Sequence, residues 1–471
     1  MKNLRLILLG CLLFPSAILF AQQDTDHKYA KSLKEVLDEI QTRFHVKIKY
    51  NDKDVKGKEV TYADWRFRNT VDETLANVLA PLDMKVNKES PGVYKLKDFE
   101  YNNWPIQDGW NKLDSIAKQY HDVASWEQRK AILRPALYKA LNLYPLPEKP
   151  NSKPIITAKR VYDDYSVENI AIEILPGLYI NGSLYKPLNI KGKIPVMLSP
   201  DGHWDKQRYR ADAQIRCATL ARMGCMAYSY DLFAWGESLL QFKSEDHRTS
   251  IAQVVQTLGA IRILDYVLSI KETDPNRVGI SGGSGGGSHT VLMAALDPRI
   301  KLSAPVVSVS SYFYGGCPCE SGMPIHFVAG GTDNVEIAAM AAPNPQLLIT
   351  DGSDWTAHMP EHDFPYLKKM YGYYGKADNV ENVHLPNDKH DFGPSKRFPL
   401  YRFVAKHFGL DIKSIEDKDG KIDESKVTIE KEPLMYVFGD HGQNLPKDAV
   451  KGIDNLRHEF ETISREATAK Y

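Results

Sequence analysis

The stretch "VGISGGSGGGSHT", Val278 to Thr290, constrains this chain more than any other. It joins an apolar run that reads as a strand, "VGIS", to one that reads as a helix, "SHTVLMAAL", through glycines packed around Ser284. Glycine loses more backbone freedom on folding than any other residue, so such a cluster marks a place where the chain needs a conformation or a closeness that a Cβ forbids. Gly282 to Gly286 spells G-x-S-x-G. Between a strand and a helix this pattern makes a strained turn that exposes the central hydroxyl at the top of a sheet. A Walker loop would end in Lys-Ser or Lys-Thr, and a dinucleotide fingerprint belongs to the first strand of its unit, so the nucleophile reading of Ser284 leads.

The surrounding pattern supplies the sheet. "ENIAIEIL" and "LYINGSLYKP" read as antiparallel strands, and "IPVMLSP", "CMAYSYDLF" and "QLLIT" as short apolar runs. Between and after them come helical stretches such as "IAQVVQTLGAIRILDYVLS" and the final "RFPLYRFVAKHFG". Strands alternating with helices over this length predict an α/β fold, a mainly parallel sheet flanked by helices on both faces. No segment after the N-terminus is expected to reach the length of a membrane helix.

A lone serine hydroxyl is too weak an acid to attack an ester, so a base and an orienting acid must accompany it. The chain order in this class is serine, acid, histidine. Asp354, in the loop after "QLLIT", is the expected acid, and His390, in "HLPNDKHDFGPSKR" before the last helix, the expected base. His384, Asp351 and Asp363 compete, Asp351 most closely because it ends the same strand as Asp354. The oxyanion donors are expected to be the N–H of Gly285, at a helix start, and that of His203 in "VMLSPDGHWD". Trp204, Trp235 and Trp355 are candidates for contact with substrate, since aromatic faces stack on sugar rings. No metal and no organic cofactor is expected.

Composition excludes some partners. Lys plus Arg equals Asp plus Glu, 60 each, so no overall field favours nucleic acid or an anionic membrane. Lys2 and Arg5, the apolar "LILLGCLLFPSAILF" and the small Ala21 read as a cleaved secretory signal, which predicts an exported protein, periplasmic or secreted, soluble after cleavage. The "LLGC" ending at Cys11 is similar to a lipobox, but the apolar run continues past it. Cys217, Cys225, Cys317 and Cys319 then follow. "GCPCESG" lacks the two-residue spacing of zinc and thioredoxin-like motifs, so half-buried thiols or a local disulfide are expected there rather than a metal, with the pairing left open.

At 471 residues the chain should hold more than one domain. The expected division is a signal at 1–21, a small α+β domain at 28–98, a linker and packing helix at 99–155, a catalytic domain at 156–412 and a C-terminal extension at 413–471. In the first domain Leu33, Val36, Leu37 and Ile40 recur at helical spacing, "VKIKY" alternates as a strand, "TVDETLANVLAPL" reads as a second helix, and "MKVNK" with "GVYKLK" as a hairpin. In the extension, "EKEPLMYVFGDHG" is expected to form a strand, "EDKDGKIDESK" an exposed turn rather than a calcium loop, and "DAVKGIDNLRHEFETISREA" an amphipathic helix.

Two resemblances follow from these residues. The first domain is similar to the short N-terminal domain of secretins and TonB-dependent receptors, which implies tethering at the cell envelope and an envelope protein as partner; the residues alone fit equally a module that shields or positions the rest. Residues 155 to 410 resemble the α/β-hydrolase family. More narrowly, "GGSGGGSHTVLMAALDPRI", "YGGCPCESGMPIH", "LLITDGSDWT" and "HLPNDKHDFGPSKR" resemble exported bacterial acetyl xylan esterases and carbohydrate esterases. That implies a serine carboxylesterase acting on a carbohydrate ester, with xylan-type deacetylation first, uronate methyl ester cleavage second and a peptidase of the same fold third. In the related glucuronoyl esterases the acid can be a glutamate after the sixth strand, which makes Glu320 an alternative acid or a substrate contact. The basic residue those esterases carry after the nucleophile is replaced by Gly285.

Overall fold

The computed structural model describes residues 30–79, 82, 84–98 and 103–469 in two compact units, divided near residue 100. The expected signal at 1–21 lies outside the described residues.

In the first unit helix α1 (Leu33–Phe44) starts in a capping box: Ser32 accepts from the Glu35 N–H, and Glu35 accepts from the Ser32 N–H. Its buried stripe is Leu33, Val36, Leu37 and Ile40. Strand β1 (Lys47–Lys49) lies parallel to one arm of a hairpin, β2 (Met84–Ser90) and β3 (Val93–Asp98), in the order β1-β3-β2. Helix α2 (Val71–Leu79) closes a small core with Leu75, Val78, Tyr94 and Leu96. This is the α+β module the sequence pattern predicts.

The second unit is built on a ten-stranded sheet. Its main strands are β4 (Tyr165–Leu175), β5 (Leu178–Pro187), β6 (Ile194–Pro200), β7 (Met226–Tyr230), β8 (Thr273–Ile280), β9 (Leu302–Ser303), β10 (Gln346–Asp351) and β11 (Val380–Leu385). Across the sheet they run β4-β5-β7-β6-β8-β9-β10-β11, with β4 and β5 antiparallel to their neighbours and the rest parallel. Alternate residues of the parallel strands serve opposite faces. Val196, Leu198, Val278, Ile280 and Leu348 join one core with helices α6 (Ile251–Ser269) and α7 (Gly285–Leu296). Met197, Leu347 and Ile349 join the other, with α5 (Ala211–Arg222) and α8 (Pro394–Phe408). The order turns about β6: the chain leaves it first to β7 on one side and then to β8 on the other. Loops at the carboxyl ends of strands that diverge in this way leave a crevice between them, the usual place for a ligand in an open α/β sheet.

Two sequence expectations need correction. α6 is long and apolar enough to cross a membrane, but most of it is buried as the central core helix of this face. The strand expected in "EKEPLMYVFGDHG" is instead a 3-10 turn at Glu432–Met435. The reason lies in a buried acid: Glu237 accepts the Val437 and Phe438 N–H groups at 2.8 and 2.7 Å, so these donors are taken before any ladder can use them. The packing helix expected within 99–155 is present, and a second helix precedes it. They are α3 (Ile106–Ile116) and α4 (Val123–Ala140), and α4 is fixed to the catalytic unit by Arg129, whose guanidinium holds both oxygens of Glu336 at 2.8 and 2.9 Å where both side chains are buried. The C-terminal helix α9 (Ile453–Ala469) also packs on this unit, through Leu456 and Phe460.

Beside Glu336, Asp333 caps the short helix Asn334–Ala339, its Oδ1 accepting the Val335 and Glu336 N–H groups at 2.8 Å while Oδ2 is buried without a partner. Burial, with the nearby Glu336 and Asp363 charges, pushes this carboxyl up to about 8. Unfolded, it titrates near the ordinary aspartate value, about 3.9. Between about pH 4 and pH 8 the unfolded chain has released a proton that the folded chain still holds, so this group makes stability fall as pH rises. Asparagine keeps the cap without the charge. In Asp333→Asn the loss of stability from pH 5 to pH 8, measured by urea denaturation, is expected to be shallower than in the parent; an unchanged slope would refute the assignment.

Candidate active site

β8 ends in Ile280, and the chain reverses through Ser284 into α7. Ser284 has φ 55° and ψ −124°, a backbone conformation costly for any residue with a side chain. The turn is held by the Ser284 N–H donating to Val306 O at 2.9 Å. The glycines answer to close approach. A Cβ at Gly286 would stand 2.8 Å from Pro200 O, and one at Gly285 would stand 2.6 Å from Cε1 of the His203 ring. From the other side, a Cβ at Gly202 would stand 2.9 Å from that of Ser284. The loop after β6 and the turn after β8 are therefore pressed together at the crevice. Among the described residues, neither the Gly285 nor the His203 N–H donates a hydrogen bond. Two free donors beside the serine, one at a helix N-terminus, suit a developing oxyanion.

His390 sits in the loop between β11 and α8, its side chain 26% exposed against 4% for that of Asp354. Its Nδ1 lies 2.5 Å from Asp354 Oδ2. The other oxygen, Oδ1, accepts the Thr356 N–H and hydroxyl at 2.7 and 2.6 Å, so the acid is held from both sides. Asp351 stands within 4.8 Å of Asp354 and His390, while the other competitors are engaged elsewhere. Asp351 lies 3.5 Å from the buried Lys396 ammonium, His384 Nδ1 is 2.9 Å from the Thr350 hydroxyl, and Asp363 accepts from the Ser311 N–H and hydroxyl at 3.0 and 2.7 Å. Glu320, the alternative acid, accepts from Ser288 Oγ at 2.9 Å, and burial raises its carboxyl above the usual range. The structure thus gives His390 to Asp354 and leaves Glu320 one helical turn beyond the serine.

Trp204 connects the two halves. Its ring edge would lie 2.7 Å from a Cβ at Gly283, and its centroid is 5.7 Å from that of His390. The Trp355 ring also packs on His390, at 4.9 Å, with its indole N–H donating to Ser308 O at 3.0 Å. Trp235 is set apart from His390; it lies beside the rings of His203 and His247 at 6.3 and 5.7 Å. Sequence reasoning missed several neighbours. Phe313 packs on Trp355 at 4.5 Å, the Tyr312 hydroxyl donates to Trp355 O at 2.6 Å, and Trp104 N–H donates to Tyr312 O at 2.8 Å. The tryptophans of "NNWPIQDGW" were the available signal, since large aromatics at the ends of a supposed linker need something to pack on.

This strand order, with a strained serine turn after β8 and a histidine after β11, is the architecture of an α/β-hydrolase. The acetyl xylan esterase (AXE1) family model matches residues 253–314, the segment from α6 through α7 to the loop beyond. Methylesterase BT1017 is 47% identical over 95% of this chain and 100% of its own, with a TM-score of 0.77. The chain belongs to the same family as that methylesterase. A glucuronoyl esterase from Solibacter usitatus is 16% identical, over 61% of this chain and 94% of its own, with a TM-score of 0.43. An acetyl xylan esterase from Paenibacillus sp. R4 is 17% identical, over 64% and 99%, with a TM-score of 0.41. No curated protein matches the chain.

Proposed function

We propose that the protein is an exported serine carboxylesterase that cleaves methyl esters of the uronate units of a plant polysaccharide or oligosaccharide. The observation that carries the chemistry is the 2.5 Å contact of His390 with Asp354, in a crevice shared with a serine on a strained turn. The relative named as a methylesterase, aligned over its whole length, favours the methyl ester.

In this reading Ser284 attacks the ester carbonyl as His390 Nε2 takes its proton. Asp354 keeps the remaining proton on Nδ1 and stabilises the imidazolium that forms. The Gly285 and His203 N–H groups receive the oxyanion. His390 then returns its proton to the departing methoxide, and methanol leaves. Water, deprotonated by the same histidine, attacks the acyl-enzyme, which releases the uronate carboxylate and restores Ser284. Trp204 and Trp355, both against the His390 ring, offer apolar faces to the sugar ring.

A second reading, removal of acetyl groups from a xylan-type polymer, is favoured by the acetyl xylan esterase model over residues 253–314. There the acetyl group stays on Ser284 and the sugar hydroxyl is the leaving group. Methanol and acetate release, measured side by side on methyl-esterified pectin and acetylated xylan, separates the two. Methanol from pectin is the expected product. Acetate alone would transfer the assignment to the second reading, and neither product would return the peptidase reading.

Export to the periplasm or beyond the cell is supported by the basic start and apolar run of residues 1–21. Tethering to an envelope protein through the 28–98 unit is supported by its pattern of positions.

A further inference from the structure

Four side chains from three separate loops meet beside the oxyanion loop. His203 follows β6, His247 belongs to the turn Ser244–Arg248 ahead of α6, and Cys317 and Cys319 open the short helix Pro318–Ser321. One nitrogen or sulfur from each lies within 4.8 Å of every other. His203 Nε2 is 2.8 Å from His247 Nε2 and 3.1 Å from Cys319 Sγ. His247, Cys317 and Cys319 are 3, 6 and 4% exposed, and both cysteines are free thiols.

From this geometry we infer that His203, His247, Cys317 and Cys319 form a closed tetrahedral site for a structural zinc ion. The His247 tautomer suits it. His247 Nδ1 lies 2.6 Å from Phe233 O, a carbonyl that can only accept, so the ring proton is on Nδ1 and the Nε2 lone pair points into the cluster. An outer hydrogen bond of this type is what orients zinc-binding histidines. His203 turns its own Nε2 toward that lone pair. Two imidazole nitrogens and two sulfurs in one buried space make up the Cys2His2 donor set of structural zinc sites.

The distances are compatible. Zinc–nitrogen bonds of about 2.0–2.1 Å and zinc–sulfur bonds of about 2.3 Å give donor separations of about 3.3–3.8 Å in a tetrahedron. The histidine nitrogens need to part by about 0.6 Å to reach this range. Four protein ligands leave no open position for water, so the ion would brace structure rather than activate a nucleophile.

Its position gives the brace a purpose. The His203 ring that would bind the metal is the one a Cβ at Gly285 would strike. The same residue's N–H is one of the two free donors beside Ser284. A cation at this point would pin the loop after β6, the turn before α6 and the 317–321 loop together, and so fix the oxyanion donors against the serine turn. The expectation of no metal rested on cysteine spacing in "GCPC". That spacing is blind to His247, 70 positions before Cys317, and to His203, 116 positions before Cys319.

The test is metal content, which stands or falls independently of the ester. The full chain, purified with zinc present and dialysed against metal-free buffer, should retain about one zinc per molecule by plasma mass spectrometry. The double variant Cys317→Ser/Cys319→Ser should retain none, while Cys225→Ser, a buried cysteine elsewhere, should retain it all. Cobalt loading of the unmodified chain gives a second readout that needs no variant: a thiolate-to-cobalt charge-transfer band with intense tetrahedral d–d bands. Zinc held equally by the double variant would overturn the proposal. So would a metal-free protein whose intact mass and peptide map show a Cys317–Cys319 disulfide, or a chain that gives no thiolate–cobalt band.

Discussion

Replacing Ser284 by alanine should lower kcat by about 10^5–10^6-fold, with KM little changed, because a serine nucleophile and its base act as one unit and loss of either removes nearly all covalent catalysis. Stability should move the other way. At φ 55° and ψ −124° Ser284 occupies a region costing of order 1–3 kcal/mol for a residue with a Cβ. Ser284→Gly should therefore be as inactive as the alanine variant yet more stable than the parent by about 1 kcal/mol, after allowance for the added freedom of the unfolded chain. Initial rates of ester hydrolysis and urea midpoints on the same preparations check both signs. A Ser284→Ala variant with more than a few per cent of parental activity would remove the serine mechanism altogether.

The second large effect is expected at Asp354. In Asp354→Asn the Thr356 N–H and hydroxyl, which donate to Oδ1 at 2.7 and 2.6 Å, still require an acceptor. They hold the amide oxygen on their side and turn the amide NH2 toward His390 Nδ1. The imidazole must then accept at Nδ1 and carry its proton on Nε2, which leaves it unable to take a proton from Ser284. A loss of about 10^4-fold in kcat is expected for this wrong-tautomer state, with KM close to the parent. Glu320→Gln should cost far less, because Glu320 bonds Ser288 and not His390. Equal losses in the two variants would reopen the choice of acid.

The site was largely legible in one dimension where its residues sit at the ends of apolar strands. Ser284 announced itself by the glycines that a close-packed turn demands. Asp354 and His390 were placed by chain order and by the loops after "QLLIT" and before the last helix. Choosing Asp354 over Asp351 was harder, since one ends a strand that the other follows and both come within 4.8 Å of His390; the 2.5 Å contact of His390 Nδ1 with Asp354, and the buried Lys396 beside Asp351, distinguish them in space. The grouping of His203 and His247 with two cysteines was not legible, because no local spacing encodes the meeting of three loops. The strand expected near Tyr436 failed for a related reason. Its backbone donors belong to Glu237, some two hundred positions earlier. The role of residues 103–155 was obscured by proline and tryptophan at their ends, which look the same in a linker and in a clasp.

That clasp changes what can be separated from what. Arg129 on α4 neutralises Glu336 deep in the catalytic unit, and Trp104 hydrogen-bonds the loop whose Tyr312 supports Trp355. A chain shortened to begin at residue 156 would strand an uncompensated carboxylate in an apolar interior and leave one wall of the crevice without backing. Any portion of this protein inherited, exchanged or fused as a working enzyme must accordingly carry residues 103–155 along with the sheet.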